Sequence, residues 1–263
     1  MRERTELMYD FPSYLIALAV FGLILLAIWL GSRLGYRLRN RENKESRVQA
    51  QAVQGSLLGL LALLLGFTFS LSLARYDLRS AEVVGEANAI GTAWLRTDLV
   101  GEGRRGEVKD LMRRYAELRL EAAGLTAAND SARPALVAQA GAVFADLWQL
   151  AAAEARETRD PVTMGFVASL NDMIDALAAR DAAIARHVPE LVLFLLLGTF
   201  VLLGGVVGYT ATISSVRPGF PVYALMALIV VLVFLILDLD RPRRGLIAVD
   251  QSALVATVAM MRD

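Results

Sequence analysis

The stretch LLGLLALLLGFTFSLSLA, residues 57–74, continues as RYDLRSAEVVGEANAIGTAWLRTDL, residues 75–99, and neither part contains a proline. The first part is apolar and close to the ~20 residues a helix needs to cross the hydrocarbon core of a bilayer. The second part turns polar but offers the helix no stop. One long helix is therefore expected, leaving the membrane near Ala74 and continuing through water towards Leu99.

Three other apolar runs surround this one: Tyr14–Gly31, Val188–Ile213 and Val222–Leu237. Their order predicts an all-α integral membrane protein with four transmembrane helices, two on each side of a helical extramembrane section. The expected divisions are an N-terminal tail 1–13, a transmembrane hairpin 14–74 with a basic loop 32–54, the extramembrane section 75–187, a second hairpin 188–238 and a juxtamembrane tail 239–263. With 56% hydrophobic residues and a mean hydropathy of +0.48, the chain is too apolar for an ordinary soluble domain. The first run is not read as a cleaved signal, whose apolar core is about 7–15 residues long and ends in small residues. Here Trp29-Leu30-Gly31 leads directly into Ser32 and Arg33.

Charge narrows the function. The 27 basic and 27 acidic residues balance, so no global field favours nucleic acid. No cysteine is present, which excludes disulfides and thiol chemistry. The 32–54 loop carries Arg33, Arg37, Arg39, Arg41, Lys44 and Arg47 against Glu42 and Glu45. Basic loops stay on the cytoplasmic side, which places both termini and the middle section outside a cell (inner) membrane. Arg241, Arg243 and Arg244 after the fourth run argue the other way.

Small residues mark the second run: Gly55, Gly59, Ala62, Gly66, Ser70 and Ala74 recur every three or four positions, along one helix face. In lipid such a face lets backbones approach closely, within one chain or between copies. Gly59, Gly66, Phe67, Thr68 and Ser70 are the candidates for a pore-lining or packing face. The plainer reading has the hydroxyls bonded back to the preceding helical turn. Gly198, Gly204, Gly205 and Gly208 form a second seam in the third run. No charge lies deep in any run, so an ion-coupled carrier lacks its usual buried ionisable group.

In the middle section helices are expected over about 107–123, 135–157 and 162–186, with a turn at 101–106, a loop at 129–134 and the last helix leading into Pro189 and the third run. His187 is the only histidine and reads as a polar interfacial residue. No phosphate-binding glycine loop and no nucleophile triad is present, so no enzyme activity, cofactor or metal is expected.

Two polar clusters remain. Glu82, Glu86, Asn88, Thr92 and Arg96 sit among small residues at helical spacing, which suits either an ion path and helix contacts or a solvated face with local pairs such as Arg79 with Glu82. Asp238, Asp240, Arg241, Arg243 and Arg244 close the fourth run. Acids at a helix C-terminus oppose the macrodipole, so Asp238 and Asp240 need donors. Asp250 or Ser252 is placed to cap a short apolar helix in the tail, which lies in the interface or on the polar section.

At these clusters the chain resembles a known family. Glu86-Ala87-Asn88-Ala89-Ile90-Gly91-Thr92-Ala93-Trp94-Leu95-Arg96 and Asp238-Leu239-Asp240-Arg241-Pro242-Arg243-Arg244-Gly245, with Val249-Asp250-Gln251, are similar to the signature of the bestrophin-like family of bacterial membrane proteins. Gly66-Phe67-Thr68-Phe69-Ser70, followed by Arg75-Tyr76-Asp77, adds to it. Bestrophins proper are distant relatives: pentameric anion channels with four spans per subunit, the second lining the pore, and a helical section between the second and third. The resemblance thus implies a homo-oligomer, with a small inorganic ion and the lipid bilayer as partners. Bestrophins keep their termini and middle section in the cytoplasm, the reverse of what the basic loop predicts here. The alternative is a non-conducting sensor or scaffold whose helical section binds a partner.

Overall fold

A computed structural model describes residues 11–40, 43–125, 131–158, 160–215, 219–241 and 246–262. Among them the chain is helical and has no strand: α1 (Ser13–Leu38), α2 (Lys44–Arg96), a 3-10 turn (Thr97–Leu99), α3 (Glu102–Gly124), α4 (Arg133–Thr158), α5 (Pro161–Ala185), α6 (Glu190–Ile213), α7 (Phe220–Asp240) and α8 (Ser252–Met260). At 53 residues, α2 is about 80 Å long at a rise of ~1.5 Å per residue, far more than a ~30 Å bilayer core can hold. The expected continuous helix is therefore present, and it begins well before its apolar part.

Continuity into the third run is different. Here α5 stops at Ala185 and α6 starts at Glu190, with Pro189 at the N-cap of α6. Proline lacks the N–H that a passing helix would use and disfavours helical geometry at the residue before it. The last polar helix thus ends, as its expected bounds of about 162–186 have it, just before the membrane run begins.

Among the described residues five helical stretches are long and apolar enough to cross a membrane. Four correspond to the expected spans. The fifth is α4, expected to be extramembrane; it owes its apolar character largely to its many alanines, and it is the least apolar of the five.

The described residues divide into two compact units, the first drawn from positions 11–75, 187–241 and 246–247, the second from 76–186 and 248–262. In the first, α1 and α6 meet backbone to backbone. A Cβ on Gly31 would fall 2.0 Å from the Gly205 carbonyl oxygen, and one on Gly208 would fall 2.0 Å from that of Ile28. The Ser32 hydroxyl donates to the Gly208 carbonyl at 3.2 Å. Lipid is as apolar as leucine, so such contact supplies association that the hydrophobic effect cannot. Around the seam Ile24, Ile28, Leu61, Leu65, Phe200, Leu203 and Val233 are buried, while Leu18, Leu26, Leu195 and Leu228 remain exposed on the outer faces.

The second unit has a water-type core: Ile90, Met112, Tyr115, Leu147, Phe166, Leu170 and Met173 are fully buried, each worth roughly 1.5–3 kcal/mol for removal from water. Asp160 caps α5, accepting from the N–H groups of Val162 (2.6 Å) and Thr163 (2.8 Å) ahead of Pro161. At the other end of α5, Arg79 donates to the carbonyls of Ala183 (3.3 Å) and Arg186 (2.8 Å). A cation there satisfies orphan carbonyls and complements the helix dipole.

Candidate functional site

In the second unit α2 turns Arg79, Val83, Glu86, Ile90 and Ala93 inward at steps of three or four, and Thr97 at the start of the 3-10 turn continues the row. Two neighbouring helices answer Glu86. On α3, Val108, Met112, Tyr115, Arg119 and Ala122 form one buried stripe. On α5, Arg180 shares the stripe of Phe166, Leu170, Met173 and Ala183. Arg119 Nε donates to Glu86 Oε1 at 2.7 Å, and Arg180 Nη1 donates to Glu86 Oε2. The three groups are 1%, 7% and 6% exposed. One carboxylate thus bridges two guanidiniums out of contact with water.

Burial works against the charge on Arg119, but the Glu86 carboxylate outweighs it and raises the pKa above the ordinary arginine value. Burial pushes the Tyr115 hydroxyl up to about 12. A buried ion group of this kind adds little net stability over apolar packing, but removing one partner alone is costly because the other charge is left buried.

Arg180 also reaches the tail, its Nη2 donating to Gln251 Oε1 at 3.1 Å. Gln251 sits at the N-cap of α8 without a side-chain cap bond. Just before it, Asp250 accepts from the Ser252 hydroxyl (2.6 Å) and N–H (2.9 Å), bonds that lower its pKa. Leu254, Val258 and Met261 then enter the core of the second unit. The Met261 carbonyl accepts from Arg113 Nε at 3.0 Å. The tail helix therefore lies on the polar section, one of the two expected places.

In the first unit Asp238 and Asp240 are buried at the C-terminus of α7. Backbone amides serve as their donors: Ile247 N–H bonds Asp238 Oδ2 and Val188 N–H bonds Asp240 Oδ2, both at 2.9 Å. His187 Nδ1 lies 3.3 Å from the Asp240 carbonyl oxygen. These acids hold the chain where it enters α6 and where it leaves α7. Arg241 is buried beside them; Arg243 and Arg244 lie outside the described residues.

Of the other candidates, Arg96 donates to the Gly165 carbonyl at 2.9 Å, Glu82 is half-buried, and Asn88 and Thr92 are exposed. The second-run face divides. Thr68 is buried and donates back to the Leu64 carbonyl at 2.7 Å. Gly59, Gly66, Phe67 and Ser70 are exposed, and a Cβ on Gly55, Gly59 or Gly66 would meet nothing within 4 Å.

Residues 18–254 match the family model of the bestrophin-like domain. The chain belongs to the bestrophin-like family. No curated protein and no solved structure matches it. The bestrophin-like match starts inside α1, takes in α2 through α7 and the Glu86, Asp238, Asp240 and Asp250 positions, and ends inside α8. With its apolar helices, it makes this a membrane protein embedded in a lipid bilayer.

Sequence reasoning about this bestrophin-like chain found Glu86 but not Arg119 or Arg180. Each arginine interrupts an apolar stripe at helical spacing, which is the signal that finds a buried charge. It also passed over Gly31 and Gly35, although glycines four apart in an apolar helix mark a close approach.

Proposed function

We propose that the chain is the subunit of a homo-oligomeric, four-span membrane channel for a small inorganic anion, with the exposed small-residue face of α2 turned towards the axis. The observation that supports this most is the contrast between glycines. Gly31 and Gly35 of α1 and Gly204 and Gly208 of α6 are spent on close contact inside the chain, whereas Gly55, Gly59 and Gly66, all three on α2, border open space. A lone chain gains nothing from glycine on a helix face turned outward, where it costs ~0.5–1 kcal/mol relative to alanine. A ring of copies, five in bestrophins proper, gains close approach or a path.

On this reading the spans are α1, the apolar part of α2, α6 and α7. Helix α4 belongs to the extramembrane section, because Phe144 packs on Tyr115 of α3 with ring centroids 5.6 Å apart and Glu154 pairs with Arg104 at 2.8 Å. The charge on α3 is too dense for hydrocarbon. The basic loop favours an outside position for both termini and the section, and no catalysis is assigned. Reconstitution into planar bilayers with a mass measurement in detergent tests the channel. Absence of conductance together with a monomer overturns it. A single cysteine introduced into this cysteine-free chain, labelled from one side, tests the sidedness.

A second reading, a non-conducting sensor or scaffold, draws on the burial of Glu86 between two arginines, which serves packing whether or not ions pass. Under it Glu86→Ala changes stability with no conductance to alter. Under the first reading an oligomer and a conductance are present in the wild type.

A further inference from the structure

We propose that the C-terminal end of α1 is a binding site for an anionic phospholipid headgroup, held by Arg33 and Arg37 between Trp29 and Tyr36. The four side chains lie at steps of three and four, on one face of the helix. Gly31 and Gly35, on the opposite face, are packed on α6, so this face points away from the chain's own core. Trp29 is 50% exposed, Tyr36 is 74% exposed, and Arg33 and Arg37 are exposed.

The Arg33 guanidinium lies 4.6 Å from the centre of the Trp29 ring. Stacked there, it keeps its N–H edge free for the two oxygens of a phosphate, the geometry that distinguishes arginine from lysine. Tryptophan and tyrosine favour the depth at which headgroups lie. The end of α1 therefore combines a phosphate donor with two rings of the right polarity.

Five buried or half-buried arginines of the second unit supply the contrast. Arg79, Arg96, Arg113, Arg119 and Arg180 give N–H groups to protein carbonyls or carboxylates. Among the described residues none of Arg33, Arg37 and Arg39 is bonded to a protein oxygen. Charge complementarity thus selects an anion, and the neighbouring aromatic rings and apolar span select one carried by a lipid.

Trp29 supplies the readout, because the other two tryptophans, Trp94 and Trp148, lie in the second unit. The full chain carrying Trp94→Phe and Trp148→Phe is placed in phosphatidylcholine vesicles containing a minor share of phosphatidylglycerol, with brominated acyl chains on one lipid or the other. At ~1 kcal/mol per arginine near the surface, the anionic lipid should be preferred beside Trp29 by roughly 5- to 30-fold. Arg33→Gln with Arg37→Gln should bring that ratio to about one. Equal quenching by both lipids, a preference that survives the double substitution, or reversal by inorganic phosphate overturns the proposal. Should the tryptophan variant not fold, native mass spectrometry of the full chain gives the same test: phosphatidylglycerol retained by the wild type but not by the arginine variant supports the site, and equal retention overturns it.

Discussion

Arg119 and Glu86 are joined by a 2.7 Å hydrogen bond between helices whose positions are 33 residues apart in the chain. Arg180 shares the same carboxylate from α5. Glu86→Ala leaves two buried guanidiniums facing each other and should destabilise the protein by about 3–5 kcal/mol. Removing Arg119 as well should cost much less than the sum of the single changes, since the group acts as a unit. Denaturant unfolding in a mild detergent measures both.

The two kinds of glycine predict opposite responses. Gly208→Ala drives a Cβ towards the Ile28 carbonyl and should cost roughly 1–3 kcal/mol or more, because neither backbone can give way alone. Gly59→Ala meets open space and should leave the isolated subunit unchanged or more stable by up to ~1 kcal/mol. If copies associate through that face, Gly59→Ala should weaken the oligomer while the subunit itself unfolds no earlier. Unfolding curves and mass measurements on the two variants separate these effects.

Tyr115 links stability to alkaline pH. Its folded pKa of about 12 lies above the ordinary value of 10.0, so the stabilisation is complete below pH 10 and is lost as pH rises towards 12. A difference of that size between the folded and unfolded chain corresponds to about 3 kcal/mol. A titration at the phenolate absorbance should show one of the seven tyrosines ionising late, and Tyr115→Phe should abolish that late step and flatten the decline in stability.

Asp160 acts at the acid end. The N–H bonds at the start of α5, that of Thr163 first, hold its pKa below 3.8. Its contribution is present above that value and is lost as pH falls through the lower folded one. Asp160→Asn keeps an acceptor for the cap but cannot titrate. The variant should match the wild type near pH 7 and lose stability less steeply below pH 4, followed by the helical circular dichroism signal on heating.

Length and composition made the helices legible. The absence of proline from Lys44 to Leu99 is enough to predict α2, and Pro189 marks the break before α6. Partnership was less legible. Glu86 stands out among small residues, but Arg119 and Arg180 resemble ordinary surface charges until their helices are aligned on Met112 and Met173. Asp238 and Asp240 predict a need for donors, yet the donors are the amides of Ile247 and Val188, and a backbone amide carries no sequence signal. The glycine face of α2 was visible at once, but spacing does not tell whether its neighbour is another helix of the chain or open space.

The seam between α1 and α6 has a consequence for how the protein is made. Ser32 and Gly208 are 176 positions apart, an interval of about 10–35 s at a synthesis rate of ~5–20 residues per second. Throughout that time α1 is complete while the backbone it is shaped to touch does not yet exist. An apolar helix made early is thus locked in place late. The slow step in biogenesis should therefore respond to whatever shields a bare glycine surface in the bilayer, and codon or chaperone effects should concentrate on the interval between residues 32 and 208.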